Sequence, residues 1–398
     1  MEKILKRTWA EIDLDALLFN FEQIKAVTSE KAEICCIIKA DAYGHGAIRV
    51  AKELEMAGAK WFAVSNLEEA LQLRNNGITS DMLVMGYTPA NKAKVLADNN
   101  ISQCVYSLEY AKELSAHALN NGANVNIHIK IDSGMSRLGF YFQDINRDDN
   151  AVSEVIEACS LPSLTPEGIF THFAVSDSGT DGIQFTMRQF GCFKEMVEIL
   201  TRNGIDFKYR HCANSAAVLD YSLIHMDMVR PGIILYGLFP SEAISNKPSL
   251  RPILSLKSVV SHVKFVEADS TMSYGRIFTA KKQMKIATVP IGYADGYARI
   301  LGERGAQVLI HGKRCDIVGR ICMDQLMVDA SDITEVKSGD IVTLIGKDGS
   351  EEISADELAR LQDTINYEIV CDIGKRVPRV YIKNGIVESV SNQLLPQH

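Results

Sequence analysis

A (β/α)8 barrel followed by a mostly β C-terminal domain is the fold this sequence predicts, and three observations point to it. From Trp9 to about Pro240, short apolar runs alternate with amphipathic helical stretches at roughly 30 residues per unit. The unusual polar residues Lys39, Lys130, His172, Asn214 and Arg230 fall at or just after the C-terminal ends of strand-like runs, and a barrel turns all such ends toward one cavity. Past residue 242 the alternation stops and strand-like runs dominate. A doubly wound open sheet has the same rhythm; the position of the polar residues favours the barrel.

The 398 residues exceed one ordinary core, so two domains are expected, at 1–242 and 243–398. In the first, strands are read at 9–14, 34–39, 61–65, 82–85, 103–106, 125–131, 168–172, 209–213 and 228–236. Helical stretches lie mostly between them, including 15–27, 47–56 and 67–75. Asn246, Lys247, Pro248 and Pro252 mark a linker. Beyond it, 256–266, 285–291, 307–310, 317–328 and 341–345 read as strands. The only clear helix there is 354–362, where Ser354 is the N-cap and Glu357 follows three residues on.

Composition narrows the function. The net charge of −8, with no basic cluster, speaks against a nucleic-acid partner. Apolar residues make up 46% of the chain, but the uninterrupted apolar stretches are only strand-sized, so no membrane span is expected. Lys3, Lys6 and Arg7 mimic the start of an export signal, yet Thr8-Trp-Ala-Glu-Ile-Asp13 follows instead of an apolar core, so no such signal is read. Nine cysteines, an odd number without CxxC pairs, indicate reduced thiols in a cytoplasm rather than a disulfide frame or a zinc site.

The stretch Glu33-Ile-Cys-Cys-Ile-Ile-Lys39-Ala-Asp-Ala-Tyr43-Gly-His-Gly46 organises the rest. It reads as a buried parallel strand running into a βα loop, with Lys39 at the strand end. An ammonium there is partly desolvated, which favours the neutral amine that can attack an aldehyde; an arbitrary lysine at a strand end more often reaches for solvent. His211-Cys-Ala-Asn214-Ser215-Ala-Ala217 ends a strand and opens a helix, and with Met228-Val-Arg230-Pro-Gly232-Ile233 it makes an anion cup from Ser215 and the backbones of Gly232 and Ile233. Asn-Ser before Ala-Ala is equally ordinary capping. Met272-Ser-Tyr274-Gly275 and Gly292-Tyr293-Ala-Asp-Gly296 follow strands. A tyrosine base needs a cation or an imidazole such as that of His172 beside it, and packing is the commoner role of a single tyrosine. Cys322 has no adjacent histidine, so a thiol nucleophile is not favoured.

These motifs, together with Lys130-Ile-Asp-Ser-Gly-Met-Ser-Arg137-Leu-Gly139, Thr171-His172-Phe173, Cys322-Met323-Asp324-Gln325 and Thr364-Ile-Asn-Tyr367-Glu368, resemble the bacterial alanine racemases from about Trp9 through Arg379. The resemblance implies pyridoxal 5'-phosphate as cofactor, a homodimer with shared active sites, and interconversion of L- and D-alanine through an external aldimine by two bases, supplying D-alanine for peptidoglycan. Lys39 would hold the cofactor as an imine and act on the D-alanine side; Tyr274 of the other subunit would act on the opposite face. Tyr43, Asn214, Ser215, Gly232, Ile233 and Tyr367 would bind the cofactor, largely at its phosphate, with Arg230 facing the ring nitrogen and His211 behind it. A guanidinium keeps its proton, so a ring nitrogen facing it stays unprotonated and slow side reactions such as transamination are disfavoured. Arg137 and the Met323 backbone would orient the substrate carboxylate, with Tyr293 and Asp324 also at the substrate. His172 would support the tyrosine base. Lys130 matches a position that is carbamylated in many members.

Three rival readings remain at this level. His172-Phe-Ala-Val-Ser-Asp177-Ser and Phe185-Thr also resemble the serine/alanine racemase branch, whereas Tyr367 and the lack of a membrane domain favour alanine. A barrel-type amino-acid decarboxylase shares the barrel lysine and the β domain, but its pattern lacks Ser273-Tyr274-Gly275, and its chemistry gains from a protonated ring nitrogen that Arg230 opposes. A non-enzymatic single-barrel carrier of the cofactor does not need the second domain.

Overall fold

The computed structural model of the chain describes residues 5–144 and 150–395, and Lys3 lies outside them. The chain divides into two compact units. One comprises Leu18–Ala42 with Ala47–Arg251; the other comprises the N-terminal residues through Leu17, Tyr43–Gly46, and everything from Pro252.

The first unit is a parallel barrel. Eight strands pair in the order Met228–Val229, Glu33–Ile37, Trp61–Val64, Asp81–Val84, Ile101–Val105, Val125–Asp132, Leu164–Phe170, Tyr209–His211. The ring is drawn together where Arg230 N donates to Ala213 O at 2.9 Å and Asp227 N to Arg210 O at 3.1 Å. Trp61–Val64 and Ile101–Val105 are buried along their whole length, as expected of strands covered on both faces. Helices Ala47–Met56 and Leu67–Asn75 follow two of the strands. Asn66 caps the second by accepting from Glu69 N.

The second unit is mostly sheet. Its main sheet runs Lys313–Asp316, Gln307–Ile310, Ile341–Asp348, Leu254–Val259, Thr8–Asp13, Arg379–Lys383, Ile386–Ser391. Beside it stands a three-stranded antiparallel sheet of His262–Val266, Met284–Val289 and Leu326–Asp329. Ser354 Oγ accepts from Glu357 N at 3.0 Å at the start of helix Ala355–Gln362.

Four expectations differ from this picture. The first strand, Thr8–Asp13, does not enter the barrel; it pairs antiparallel with Leu254–Val259 and parallel with Arg379–Lys383. The run 228–236 is a strand only at Met228–Val229, because Pro231 and Gly232 interrupt the ladder and Ile233–Tyr236 form a 3-10 turn. The runs 256–266 and 317–328 each break, the second at Gly319, whose φ is +74°. A second helix, Asn366–Cys371, follows 354–362.

Candidate active site

Lys39 stands one residue beyond the strand Glu33–Ile37, after Ile38, and the backbone after it turns the wrong way for L-residues. Ala40, Asp41, Ala42 and Tyr43 have φ of 52–54°, a left-handed turn containing no glycine. Surrounding bonds hold that conformation. Ala40 N donates to Glu69 Oε1 at 2.7 Å, whose other oxygen accepts from Ser65 N at 2.8 Å, and Asp41 Oδ1 accepts from Ala47 N at 2.7 Å to cap the next helix. Tyr236 Oη donates to Ile37 O at 2.8 Å and pins the strand just before the lysine.

Arg230 is buried and fully engaged at its two terminal nitrogens. Nη1 donates to His211 Nδ1 at 2.8 Å, and Nη2 donates to Thr171 O at 2.7 Å and Cys212 O at 3.2 Å. These bonds leave Nε–H out. Burial pulls its pKa down to about 10, so it remains a cation at neutral pH. Ser215 Oγ accepts from Gly232 N at 2.8 Å, which joins two parts of the expected anion cup. Asn214 Oδ1 accepts from Ala217 N at 3.1 Å and from Ser176 Oγ at 2.9 Å, which caps the helix that opens at Ser215.

Lys130 is buried, with Nζ 4.4 Å from the centre of the Phe170 ring, and burial followed by the charge of Arg230 lowers its pKa to about 7. Two residues on, Asp132 Oδ1 accepts from the N–H groups of Gly134, Met135 and Ser136 at 2.9–3.0 Å and so folds the loop that carries the exposed Arg137. A Cβ on Gly139 would sit 2.6 Å from Asp132 N, so the loop needs glycine there. His172 is kept well below the ordinary histidine range by burial and then by Lys130, Arg230, Arg137 and Lys39. The field of these basic groups, on top of burial, keeps the His172 imidazole neutral. Asp132, the acid adjoining them, is spent on backbone bonds. Such a cavity favours an anionic ligand.

The other unit carries the remaining expected residues. Tyr43 and Tyr367 pack with ring centres 5.9 Å apart. Tyr274, Tyr293 and Met323 are 65%, 41% and 52% exposed. Tyr293 N donates to Cys322 O at 3.1 Å and Ala294 N to Met323 O at 3.0 Å, so these two segments are neighbours. Ser273 Oγ donates to Arg320 O at 2.5 Å and ties the Tyr274 turn to the same stretch. Asp324 accepts from Arg376 Nη2 at 2.6 Å, and Arg376 Nε lies 2.9 Å from the buried Asp295, so Asp324 is engaged in an ion pair. Sequence reasoning gave no role to Glu69, Tyr236, Asp295 or Arg376; the last three lie in or beside stretches already singled out, whereas Glu69 stands in no recognisable pattern.

Fold and site together define a (β/α)8 barrel that carries a lysine at the end of a strand and is followed by a mostly β unit. The pattern described as “Alanine racemase, N-terminal domain” matches residues 12–240, and that described as “Alanine racemase, C-terminal domain” matches residues 253–381. The chain belongs to the alanine racemase family. It is 43% identical to the alanine racemase of Clostridium tetani over 98% of this chain and all of that protein. It is 45% identical to that of Methanococcus maripaludis over 94% and 98%. The solved structure of alanine racemase from Clostridium difficile 630 superposes with a TM-score of 0.93 at 42% identity, covering 99% and 100% of the two chains. That from Bacillus anthracis with bound L-Ala-P superposes at 0.91 and 40% identity, covering 98% and 99%.

Proposed function

We propose that the chain interconverts L- and D-alanine, with pyridoxal 5'-phosphate carried on Lys39 and each active site completed by a second copy of the chain. The observation that carries this reading is the buried polar set at the strand ends: Arg230 held by His211 Nδ1 and Thr171 O, Ser215 Oγ on Gly232 N, and Lys130 over the Phe170 ring. The donor set fits the group. An amine stands just past the strand end, Ser215 and Gly232 are joined at the start of a helix where an anion cup is expected, and a buried guanidinium is held by His211. When bound, pyridoxal phosphate withdraws the electron pair left as the α-proton departs.

The chain's own residues do the rest. Tyr43, Ser215, Gly232, Ile233 and Tyr367 hold the phosphate, Asn214 stands beside them in the cofactor site, and His211 keeps the Arg230 guanidinium toward the ring. Arg137 orients the substrate carboxylate, with the Met323 backbone, Tyr293 and Asp324 from the second copy. Lys39 Nζ moves the α-proton on one face, and Tyr274 Oη of the second copy moves it on the other, where His172 accepts or returns the phenol proton. Lys130, low in pKa, is present in good part as the free amine near neutrality. The amine adds CO2, forming an N–C bond and releasing one proton, and the resulting anion pairs with Arg137. The exposed Tyr274, Ile277, Tyr293, Ile300 and Met323 form the face that a second copy covers. Among the described residues no helix is long and apolar enough to cross a membrane. The nine cysteines are free, in keeping with a cytoplasmic location and D-alanine supply to peptidoglycan.

Borohydride reduction of the holoenzyme tests the assignment. Cofactor fixed to the peptide containing Lys39 is the expected result, and label on any other lysine rejects it. Parallel deuterium exchange into alanine and serine reads the substrate, with alanine expected to exchange faster; faster serine exchange favours the broader-specificity reading suggested by the 172–178 stretch.

A further inference from the structure

The strand Leu164–Phe170 stops two residues short of His172, and the chain that follows, 171–179, is irregular. Thr171 is still fastened to the barrel: its N–H donates to His211 O at 3.2 Å, and its carbonyl accepts from Arg230 Nη2 at 2.7 Å. Beyond it the ladder is lost, and the main chain of residues 172–174 must find its partners elsewhere. Among the described residues its hydrogen bonds are two, both to one side chain. Gln189 Nε2 donates to His172 O at 3.1 Å, and Gln189 Oε1 accepts from Ala174 N at 2.8 Å.

The orientation of that amide is forced. A carbonyl only accepts and a main-chain N–H only donates, so the Gln189 side chain fits one way round, with both ends used. Gln189 lies on the helix Thr180–Arg202, within the stripe of side chains that this helix buries: Gly182, Thr186, Gln189, Phe193, Met196 and Leu200. A buried amide in such a stripe costs free energy unless it is hydrogen-bonded, and here it takes the place of a ladder. Glycine brings the helix close enough, since a Cβ on Gly182 would lie 2.0 Å from Val175 O.

The same side chain supports the loop that carries Arg137. A Cβ on Gly134 would lie 3.0 Å from Gln189 Cγ, and the φ of Gly134 is +144°, so that loop packs directly on the glutamine. The buried hydroxyls of Ser133 and Thr171 stand 2.7 Å apart and tie the loop to the residue before His172.

We propose that Gln189 is a positioning residue for His172: its amide bridges His172 O and Ala174 N, and so sets where the imidazole meets the Tyr274 phenol of the second copy. This rests on the two-base reading proposed above. The test is Q189M in the holoenzyme, which keeps the length of the side chain and its packing against Gly134 while removing both bonds. Misplacing a group by about 1 Å can cost about a hundredfold in rate. With the packing kept, kcat should fall roughly tenfold and KM should change by less than about twofold.

The decisive readout is the α-deuterium isotope effect on kcat/KM, measured from each enantiomer. From L-alanine the tyrosine removes the α-hydrogen, so slowing that step should raise the isotope effect. From D-alanine the lysine acts first and the slowed tyrosine step follows, so the isotope effect should fall. A merely structural role moves neither, because each effect is a ratio within the active fraction. A lower kcat with both isotope effects unchanged, or a fully active Q189M, would overturn the proposal. If Q189M gives no active protein, Q189N, whose amide is one methylene too short to make both bonds, carries the same expectations. Failure of the two-base reading looks different: Tyr274→Phe would then leave both isotope effects at their wild-type values, and the proposal would fall with it. Shifts in Tyr274→Phe beside none in Q189M would overturn the proposal alone.

Discussion

A buried amine is a costly object, and Lys130 is one: Asp132 and Cys104 offset only part of the cost of its burial and of the Arg230 charge. Its pKa of about 7 in the folded chain, against 10.5 for an ordinary lysine, means that the folded state gives up a proton which the unfolded state keeps between those values. The unfolded chain binds more protons in that window, so this group makes stability rise as pH increases from about 7 toward 10.5. Below pH 7 its destabilisation is fully present. In bicarbonate-free buffer, Lys130→Met should flatten that slope in denaturant midpoints measured across the window; an unaltered slope would mean that Lys130 is not the titrating group. With bicarbonate present, mass spectrometry of the intact wild type should find one added CO2. Tyr274 is the second residue with a sharply defined task. Tyr274→Phe should slow α-proton exchange of L-alanine more than that of D-alanine, whereas equal losses in both directions would count against two bases on opposite faces.

At the scale of elements, the left-handed turn after Lys39 is the feature with the largest conformational cost. Each non-glycine residue in that region costs about 1–2 kcal/mol, and Ala40 is exposed, so its side chain returns little in packing. Ala40→Gly should therefore leave stability unchanged or raise it by up to about 1 kcal/mol, and Ala40→Val should lower it by about 1–2 kcal/mol. Chemical denaturation decides, and a clear loss in the glycine variant would mean that the turn is not left-handed.

No signal in the sequence announces that turn, because Ala-Asp-Ala-Tyr at 40–43 holds no glycine. The strand and lysine before it, and helices Ala47–Met56 and Leu67–Asn75 after it, were legible because local periodicity matches their burial. Thr8–Asp13 misled because an apolar strand followed by a helix reads alike whether it joins a barrel or a distant sheet; its partners at Leu254–Val259 and Arg379–Lys383 lie far along the chain. The bulge at Glu167, which sets His128 opposite Gly168, was invisible for a related reason. His128 alternates with Asn126, Lys130 and Asp132 along one strand and Glu167 follows Pro166 in the next, so neither stood out, and only the glycine at 168 hinted at a bulge or a close approach.

For the whole molecule, the division of the expected site residues between two units carries the consequence. Lys39, Lys130, Arg137, His172 and Arg230 belong to the barrel unit, whereas Tyr274, Tyr293 and Met323 are exposed on the unit built around the C-terminal sheet. Aromatic rings left that open are commonly covered in an assembly. A closed two-fold dimer would give every barrel a tyrosine from the opposite chain, and both sites would form in the same way. The sharpest measurement mixes two inactive homodimers, Lys39→Ala and Tyr274→Phe, after reversible dissociation. A mixed dimer then holds one site with both bases intact and one with neither. Random exchange should restore about a quarter of the wild-type activity; a mixture as inactive as its parents, while mixed dimers demonstrably form, would contradict a site shared between chains.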